Sequence, residues 1–350
     1  MQAYFLFGTA NCQDMFPVIF EALKQKRECW VCFFDCFAKK RQLYKYDHDE
    51  VTEFFQNTCK NYNLQLPTKI SFYRQKDKNQ YLNDYKYMKP DVLFVQEINP
   101  KYPIWYPQVS KEVKVVHFAW WDEVKHLNNP YVNVDITILK QSDDLKYGYD
   151  KYPNKFLGNL RLDHLNYINK VSTNKKTCFI PETYLRMGDK DVKNSMKVVK
   201  FCDSLINFLH KKDFKVVWKK REKGYPIEKW ASPLDFMTNQ PDLIIHKDLR
   251  FPSSLCEHAY LADCCIVIND SFAFFDIMHM NDNCIILTTE GGRQQKIDDF
   301  FLPEYEKNII DMKNTNSWKI LSNRVEKKNE YVYNKNKNIS KLILDLSDKL

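Results

Sequence analysis

Glycine is scarce in this chain, with seven residues in 350. Neither G-x-G-x-x-G nor a P-loop occurs, which excludes the two common phosphate loops built on glycine. Long hydrophobic runs are also missing: none reaches the roughly 18 residues needed to cross a bilayer. The opening MQAYFLFGTA lacks a basic start and reads as a first strand, not a signal peptide. Together these absences predict a cytoplasmic protein. Basic patches still permit peripheral membrane contact.

Cysteine is plentiful, at eleven residues, and Cys29, Cys32 and Cys36 show C-x-x-C spacing in ECWVCFFDC. That stretch reads as a buried strand, where residues three apart face opposite sides, and no second pair follows at a zinc-site distance. No metal site is therefore expected. The thiols read as small buried hydrophobes in a reducing compartment.

At 350 residues, two domains of about 150 to 180 residues are expected, and 44% apolar content suffices for real cores. The net charge of +8 favours anionic ligands such as nucleotide diphosphates, phosphorylated polymers or nucleic acid. The aromatics, 15% of the chain, fall mostly in apolar strands and helices instead of interleaving with Lys or Arg. No nucleic-acid partner is expected.

Strand and helix patterns alternate along the chain. Ala3–Phe7 reads as a strand, Met15–Lys24 as a helix with Pro17 early, and Trp30–Phe34 as a second strand. Val51–Tyr62 and Tyr81–Met88 have helical periodicity, the latter stopped by Pro90. Ile70–Tyr73, Asp91–Val95, Val113–Phe118 and Val134–Leu139 read as further strands. The second half repeats the scheme, with strands at Thr177–Ile180, Lys215–Trp218, Leu243–Ile245 and Cys284–Leu287 and a long helix over Val192–Leu209. A polar stretch over Lys327–Lys337 precedes Ile339, Leu342, Ile343 and Leu346 at helical spacing, a closing helix for which the first domain is the plausible partner. The expected architecture is α/β, with two doubly wound Rossmann-like domains over residues 1–168 and 169–326. A polar linker and a C-terminal helix occupy 327–350.

The second domain is organised around Ile266–Asp276, IVINDSFAFFD, a β-branched strand followed by a turn and a helix start. A helix N-terminus offers unpaired N–H groups, so Ser271, Phe272 and Ala273 are predicted to form a phosphate cradle. The preceding Ser253–Leu261 reads as a helix capped by serine. An ordinary βα turn is the competing reading.

Four elements then occur in a meaningful order. Gly158–Asp163 (GNLRLD) is similar to the G-N-P-R-x-D element joining the two domains of capsule and teichoic-acid polymerases, and Pro181–Arg186 (PETYLR) resembles their P-T-x-R turn. Val216–Arg221 (VVWKKR) resembles their strand ending in K-x-H-P, and NDSFAFFD resembles T-D-Y-S-S-x-x-F-D of the CDP-glycerol glycerophosphotransferase group. The resemblance covers mainly the second half. It implies a GT-B glycosyltransferase fold, two domains facing a cleft. Leu160 replaces the family's proline, Arg221-Glu222 stands where His-Pro would be, and Phe272 replaces the second serine. The missing histidine favours a sugar nucleotide, UDP- or GDP-linked, over CDP-glycerol as donor.

That resemblance implies a glycosyltransferase moving a sugar from a nucleotide donor to a hydroxyl of a glycan or polyol acceptor, without metal or other cofactor. The leaving nucleoside diphosphate needs its developing charge neutralised, a role for Ser271, Arg186 and Lys219 or Lys220. Asp276 would accept from a ribose or sugar hydroxyl, and His246, after a strand, would approach the base. His117, at a strand's carboxyl end, matches a histidine position of the related polymerases and suits base work at neutral pH. Asp14 and Glu97 are the competing carboxylates. The Asp-x-Asp pairs at Asp47/Asp49 and Asp189/Asp191 lie in charged stretches read as loops and do not favour a metal-dependent GT-A enzyme. Glu257 and His258 read as surface or packing residues of their helix. Alternatives are a CDP-glycerol-type polyol-phosphate transferase, a sugar-nucleotide epimerase, which would act without any acceptor, and a non-catalytic GT-B scaffold.

Overall fold

Apolar β-branched runs separated by amphipathic stretches become parallel strands with helical crossovers, because a strand buried on both faces must be apolar throughout. The computed structural model describes residues 2–8, 15–35, 48–74, 77–95, 113–118, 134–139, 151, 153–169, 175–183, 185–186, 192–220, 230–246, 249–269, 273–289, 303–334 and 337–350. They fall into two units. One comprises 1–163, 249–251 and 336–350, the other 164–248 and 252–335.

The first unit is built on seven parallel strands: β1 (Gln2–Gly8), β2 (Glu28–Asp35), β3 (Lys69–Arg74), β4 (Val92–Val95), β5 (Lys114–Phe118), β6 (Ile136–Leu139) and β7 (Asn154–Phe156). Their order is β3-β2-β1-β4-β5-β6-β7, so the chain reverses direction across the sheet between β1 and β4. Phe16, Phe20, Phe54 and Phe55 interlock between the helices Phe16–Lys24 and His48–Asn61, with Phe16 stacked on Phe54 at 4.7 Å. Each such ring contributes about 1.5–3 kcal/mol on burial. Lys89, in the left-handed conformation, ends the helix Lys78–Met88 just before Pro90.

The helix Ile339–Ser347 packs on Phe16–Lys24 and thus returns to the first unit, as its pattern predicts. Its buried face is Ile339, Ser340, Ile343, Leu344 and Ser347, while Leu342 is exposed. The apolar spacing therefore identified the helix but misplaced its face by part of a turn. Gly158 has φ +104°, and a Cβ there would stand 3.4 Å from Ile339 Cδ1. Only glycine adopts that backbone readily.

The second unit repeats the plan with β8 (Thr177–Pro181), β9 (Leu185–Arg186), β10 (Lys215–Lys219), β11 (Trp230–Ala231), β12 (Leu243–Ile245), β13 (Cys264–Ile268), β14 (Cys284–Thr288) and β15 (Ile309–Asp311). Six form a parallel sheet in the order β12-β10-β8-β13-β14-β15, whereas β9 and β11 form a separate antiparallel ribbon. Cys178, Ile180, Trp218, Ile266 and Leu287 share a core with Val198, Leu205 and Leu209 of the helix Val192–Lys211.

Several elements differ from the sequence reading. β7 is polar and partly exposed, β9 and β11 are two residues each, and β15 is three, so none carries a periodic signal. The helix Ser317–Val325 also went unpredicted. Asp49 lies in the first turn of the helix His48–Asn61 instead of a loop; Asp47, Asp189 and Asp191 lie outside the described residues. Cys29 and Cys32 are buried in β2, and burial pushes the Cys29 thiol up to about 12. Cys36 lies outside the described residues.

Candidate functional site

In an open parallel sheet, ligands bind beyond the carboxyl ends of strands where the order reverses. In the second unit that point lies between β8 and β13. The residues that end or follow these strands and their neighbours are polar: Glu182 after β8, Lys219 and Lys220 at β10, His246 after β12, Asn269 after β13 and Thr289 after β14.

Asn269 is held in the left-handed conformation, φ 58°. Asparagine tolerates this better than branched residues, so the chain can leave β13 sharply. Its Oδ1 accepts from Thr289 N–H at 2.9 Å and from Thr289 Oγ1–H at 3.2 Å, which ties the ends of β13 and β14 together. Both side chains are buried. After Asn269 the chain enters the predicted cradle, of which Ser271 and Phe272 lie outside the described residues. Ala273 opens the following helix, Ala273–Ile277, and half-buried Asp276 lies in its first turn. Among the described residues that helix spans five residues.

Two of the predicted cations, Lys219 and Lys220, are engaged locally. Lys219 Nζ donates to the His246 carbonyl at 3.0 Å, which brings these two predicted residues together. Lys220 Nζ lies 3.5 Å from Asp235 Oδ1, and His246 itself is exposed. Arg186 is placed by its backbone, in β9, opposite Trp230 of β11.

Sequence reasoning passed over Glu182, although it stands inside the quoted PETYLR. The side chain is 3% exposed, and its Oε1 accepts from Ser232 Oγ–H. Its N–H donates to the Lys219 carbonyl at 2.9 Å. Ser232 directly follows β11 and caps the turn Pro233–Asp235, where its Oγ accepts from Leu234 N–H and its own N–H donates to Asp235. A buried acid just after the central strand is signalled only by its position one residue past an apolar run. Glu257 and His258 are half-buried on the helix Ser254–Leu261, and His258 stacks on Phe179 at 6.1 Å, a packing role.

His117 belongs to the first unit. It lies within β5, fully buried, with Nδ1 3.4 Å from Thr137 Oγ1. Burial pushes its pKa down to about 3, so the imidazole is neutral at physiological pH. A base must be unprotonated, which this group is, and must meet the proton it takes, for which its side chain has no exposed surface here. Asp14 and Glu97 lie outside the described residues, as does the Gly291-Gly292-Arg293 stretch.

No protein-family model matches the chain, and no curated protein sequence matches it significantly. Solved structures do resemble it. UDP-GlcNAc 2-epimerase from Methanocaldococcus jannaschii aligns over 99% of this chain and 100% of its own, with TM-score 0.59 and 13% identity. The Neisseria meningitidis UDP-GlcNAc 2-epimerase bound to UDP-GlcNAc aligns over 100% of both chains, with TM-score 0.58 and 11% identity. The Rickettsia bellii enzyme of that name covers 100% of this chain and 96% of its own, with TM-score 0.54 and 10% identity.

The chain has a GT-B fold.

At these identities the likeness establishes architecture alone. The GT-B fold implied by the ordered motifs is confirmed, while kinship with the CDP-glycerol polymerase group receives no support from these structures. Among the described residues, no helix is long and apolar enough to cross a membrane, and no three His, Cys, Asp or Glu side chains converge as a metal site.

Proposed function

We propose that this protein is a nucleotide-sugar enzyme whose second unit holds the nucleoside diphosphate at the carboxyl ends of β8, β10 and β13. The observation that carries this reading is the reversal of strand order between β8 and β13, ringed by Glu182, Lys219, Lys220, His246 and Asn269. Arg186, Lys219 and Lys220 are the proposed cations for the diphosphate, with Ser271, Phe272 and Ala273 as the turn that approaches it. Lys219 and Lys220 would exchange their present partners, a carbonyl and a carboxylate, for phosphate oxygens. Asp276 and His246 are proposed to meet the ribose or sugar and the base.

Of two reactions, epimerisation of a nucleotide sugar has the better support, because the full-length structural likeness is to enzymes named for that reaction. Glycosyl transfer to a glycan or polyol hydroxyl is the second reading, favoured by the ordered elements from Gly158 to Asp276. Asp14 and Glu97 stand as the proposed proton-transfer groups in either case.

The two reactions separate in one experiment. Purified protein is incubated with UDP-GlcNAc, first alone and then with candidate acceptors, and the sugar is followed by proton NMR. Conversion at a sugar carbon without acceptor is the outcome expected of an epimerase. Release of UDP only when an acceptor is present would establish transfer. Failure of any nucleotide sugar to bind or turn over would sink both.

A further inference from the structure

Glu182 is a buried carboxylate that neither proposed reaction uses. Charge is costly to bury, so its partner deserves a functional account. The side chain stands one residue past the central strand β8, where it accepts from Ser232 Oγ–H. Ser232 is 2% exposed and is the first residue after β11. Along the chain β9 follows Glu182 and β11 precedes Ser232, and the two strands form a short ribbon with the register Leu185↔Ala231 and Arg186↔Trp230. Two residues per strand give too little backbone pairing to hold such a ribbon by itself.

Three supports hold it instead. Leu185 is buried in the core of the second unit. The turn after β11 is closed by the reciprocal bonds of Ser232 and Asp235, and Asp235 also meets Lys220 at the end of β10. The bond from Ser232 to Glu182 joins that turn to the end of β8 and so closes the ribbon at its base. The ribbon carries one residue of the proposed diphosphate site, Arg186.

We infer that Glu182, through Ser232, is a positioning residue that fixes the β9–β11 ribbon so that Arg186 meets the nucleoside diphosphate. The inference rests on the proposed function and adds to it a residue that touches no ligand. An arginine contributes to anion binding in proportion to how well its guanidinium is pre-organised, since an unfixed side chain must be ordered on binding. Releasing the ribbon should therefore lose the benefit of Arg186 without removing the arginine.

The test is a double-mutant cycle on ligand affinity. Titration calorimetry with UDP, GDP, CDP and dTDP is run on the full chain, on Glu182→Ala, on Arg186→Ala and on the double variant. Glu182→Ala should weaken the best-bound nucleotide about tenfold, as should Arg186→Ala. The double variant should be no weaker than Arg186→Ala within about twofold, because both changes remove one interaction. Glu182→Gln, which keeps an acceptor for Ser232 Oγ–H, should restore most of the affinity.

Additive losses, or unaltered affinity in a folded Glu182→Ala, would overturn the inference while leaving the nucleotide site standing. No binding by the unmodified chain would overturn both. Where Glu182→Ala does not fold, Ser232→Ala takes its place in the same cycle, with the same deciding outcomes.

Discussion

The carboxylate of Asp163 accepts from Ser340 twice, from the backbone N–H and from Oγ–H, each at 2.5 Å, and its other oxygen accepts from Ile339 N–H at 3.1 Å. Asp163 therefore serves the first turn of a helix 177 residues further along the chain. Asn338 adds a conventional cap, its Oδ1 accepting from Lys341 N–H, and the helix's far end is gripped by Arg27, bidentate on Asp348 at 2.7 and 2.8 Å.

Removing this carboxylate leaves buried donors without a partner. Asp163→Ala should cost on the order of 3 kcal/mol, since bonds to a charged acceptor are lost and the N–H groups stay buried. Asp163→Asn should cost less. Urea denaturation compares the two, and equal stability of Asp163→Ala and the unmodified chain would refute the role.

His117 makes stability depend on pH. Its folded pKa, near 3, lies below the value near 6.5 of an unfolded histidine, so between them the unfolded state binds a proton that the folded state does not. This contribution is complete above pH 6.5 and declines as pH falls from 6.5 towards 3, by up to about 1.4 kcal/mol per pH unit. His117→Asn should flatten the difference in unfolding free energy between pH 7.5 and pH 5 by about 2 kcal/mol. An unchanged slope would count against a buried neutral imidazole.

At Asn269 the backbone and the side chain make separable demands. Asn269→Gly keeps the left-handed conformation and loses the bonds to Thr289, at a cost of about 1 kcal/mol. Asn269→Val loses the bonds and strains the backbone, so it should cost roughly 2–3 kcal/mol. Thermal unfolding of both variants checks the order. If valine proves no worse than glycine, the conformation is not a constraint.

Nucleotide binding should appear as thermal stabilisation. A ligand at a hundred times its dissociation constant adds about 2.7 kcal/mol to the folded state. One of UDP, GDP, CDP or dTDP should stabilise the unmodified chain, and Ser271→Phe should abolish the effect. The stabilisation should survive excess EDTA, because Arg186, Lys219 and Lys220 are proposed to neutralise the diphosphate. Loss of the shift on chelation would assign that charge to a metal ion instead.

The long strands and helices could be read from the sequence because their signals are local. β13 is an unbroken apolar run and β14 is apolar up to Thr288, both buried throughout, and Ser253 caps its helix by accepting from Cys256 N–H, as its position suggests. The site was less legible because its relationships are not local. Glu182 and Ser232 lie 50 residues apart, and neither is unusual in its own neighbourhood. Asp163 was noticed as the last residue of a junction motif, yet nothing near it in sequence announces a helix 177 residues away. His117 lies near the carboxyl end of β5, and the apolar run around it does not reveal that its ring is buried against Thr137. The two-residue strands β9 and β11 are too short to have a period at all.

The return of Ile339–Ser347 to the first unit has a consequence for biosynthesis. The surface of the Phe16–Lys24 helix that this segment covers is made early, whereas the segment leaves the ribosome only after the entire second unit has been synthesised. Domains ordinarily fold as they emerge. Here the flank of the Phe16–Lys24 helix that Ile339–Ser347 covers stays uncovered until translation has passed through the second unit.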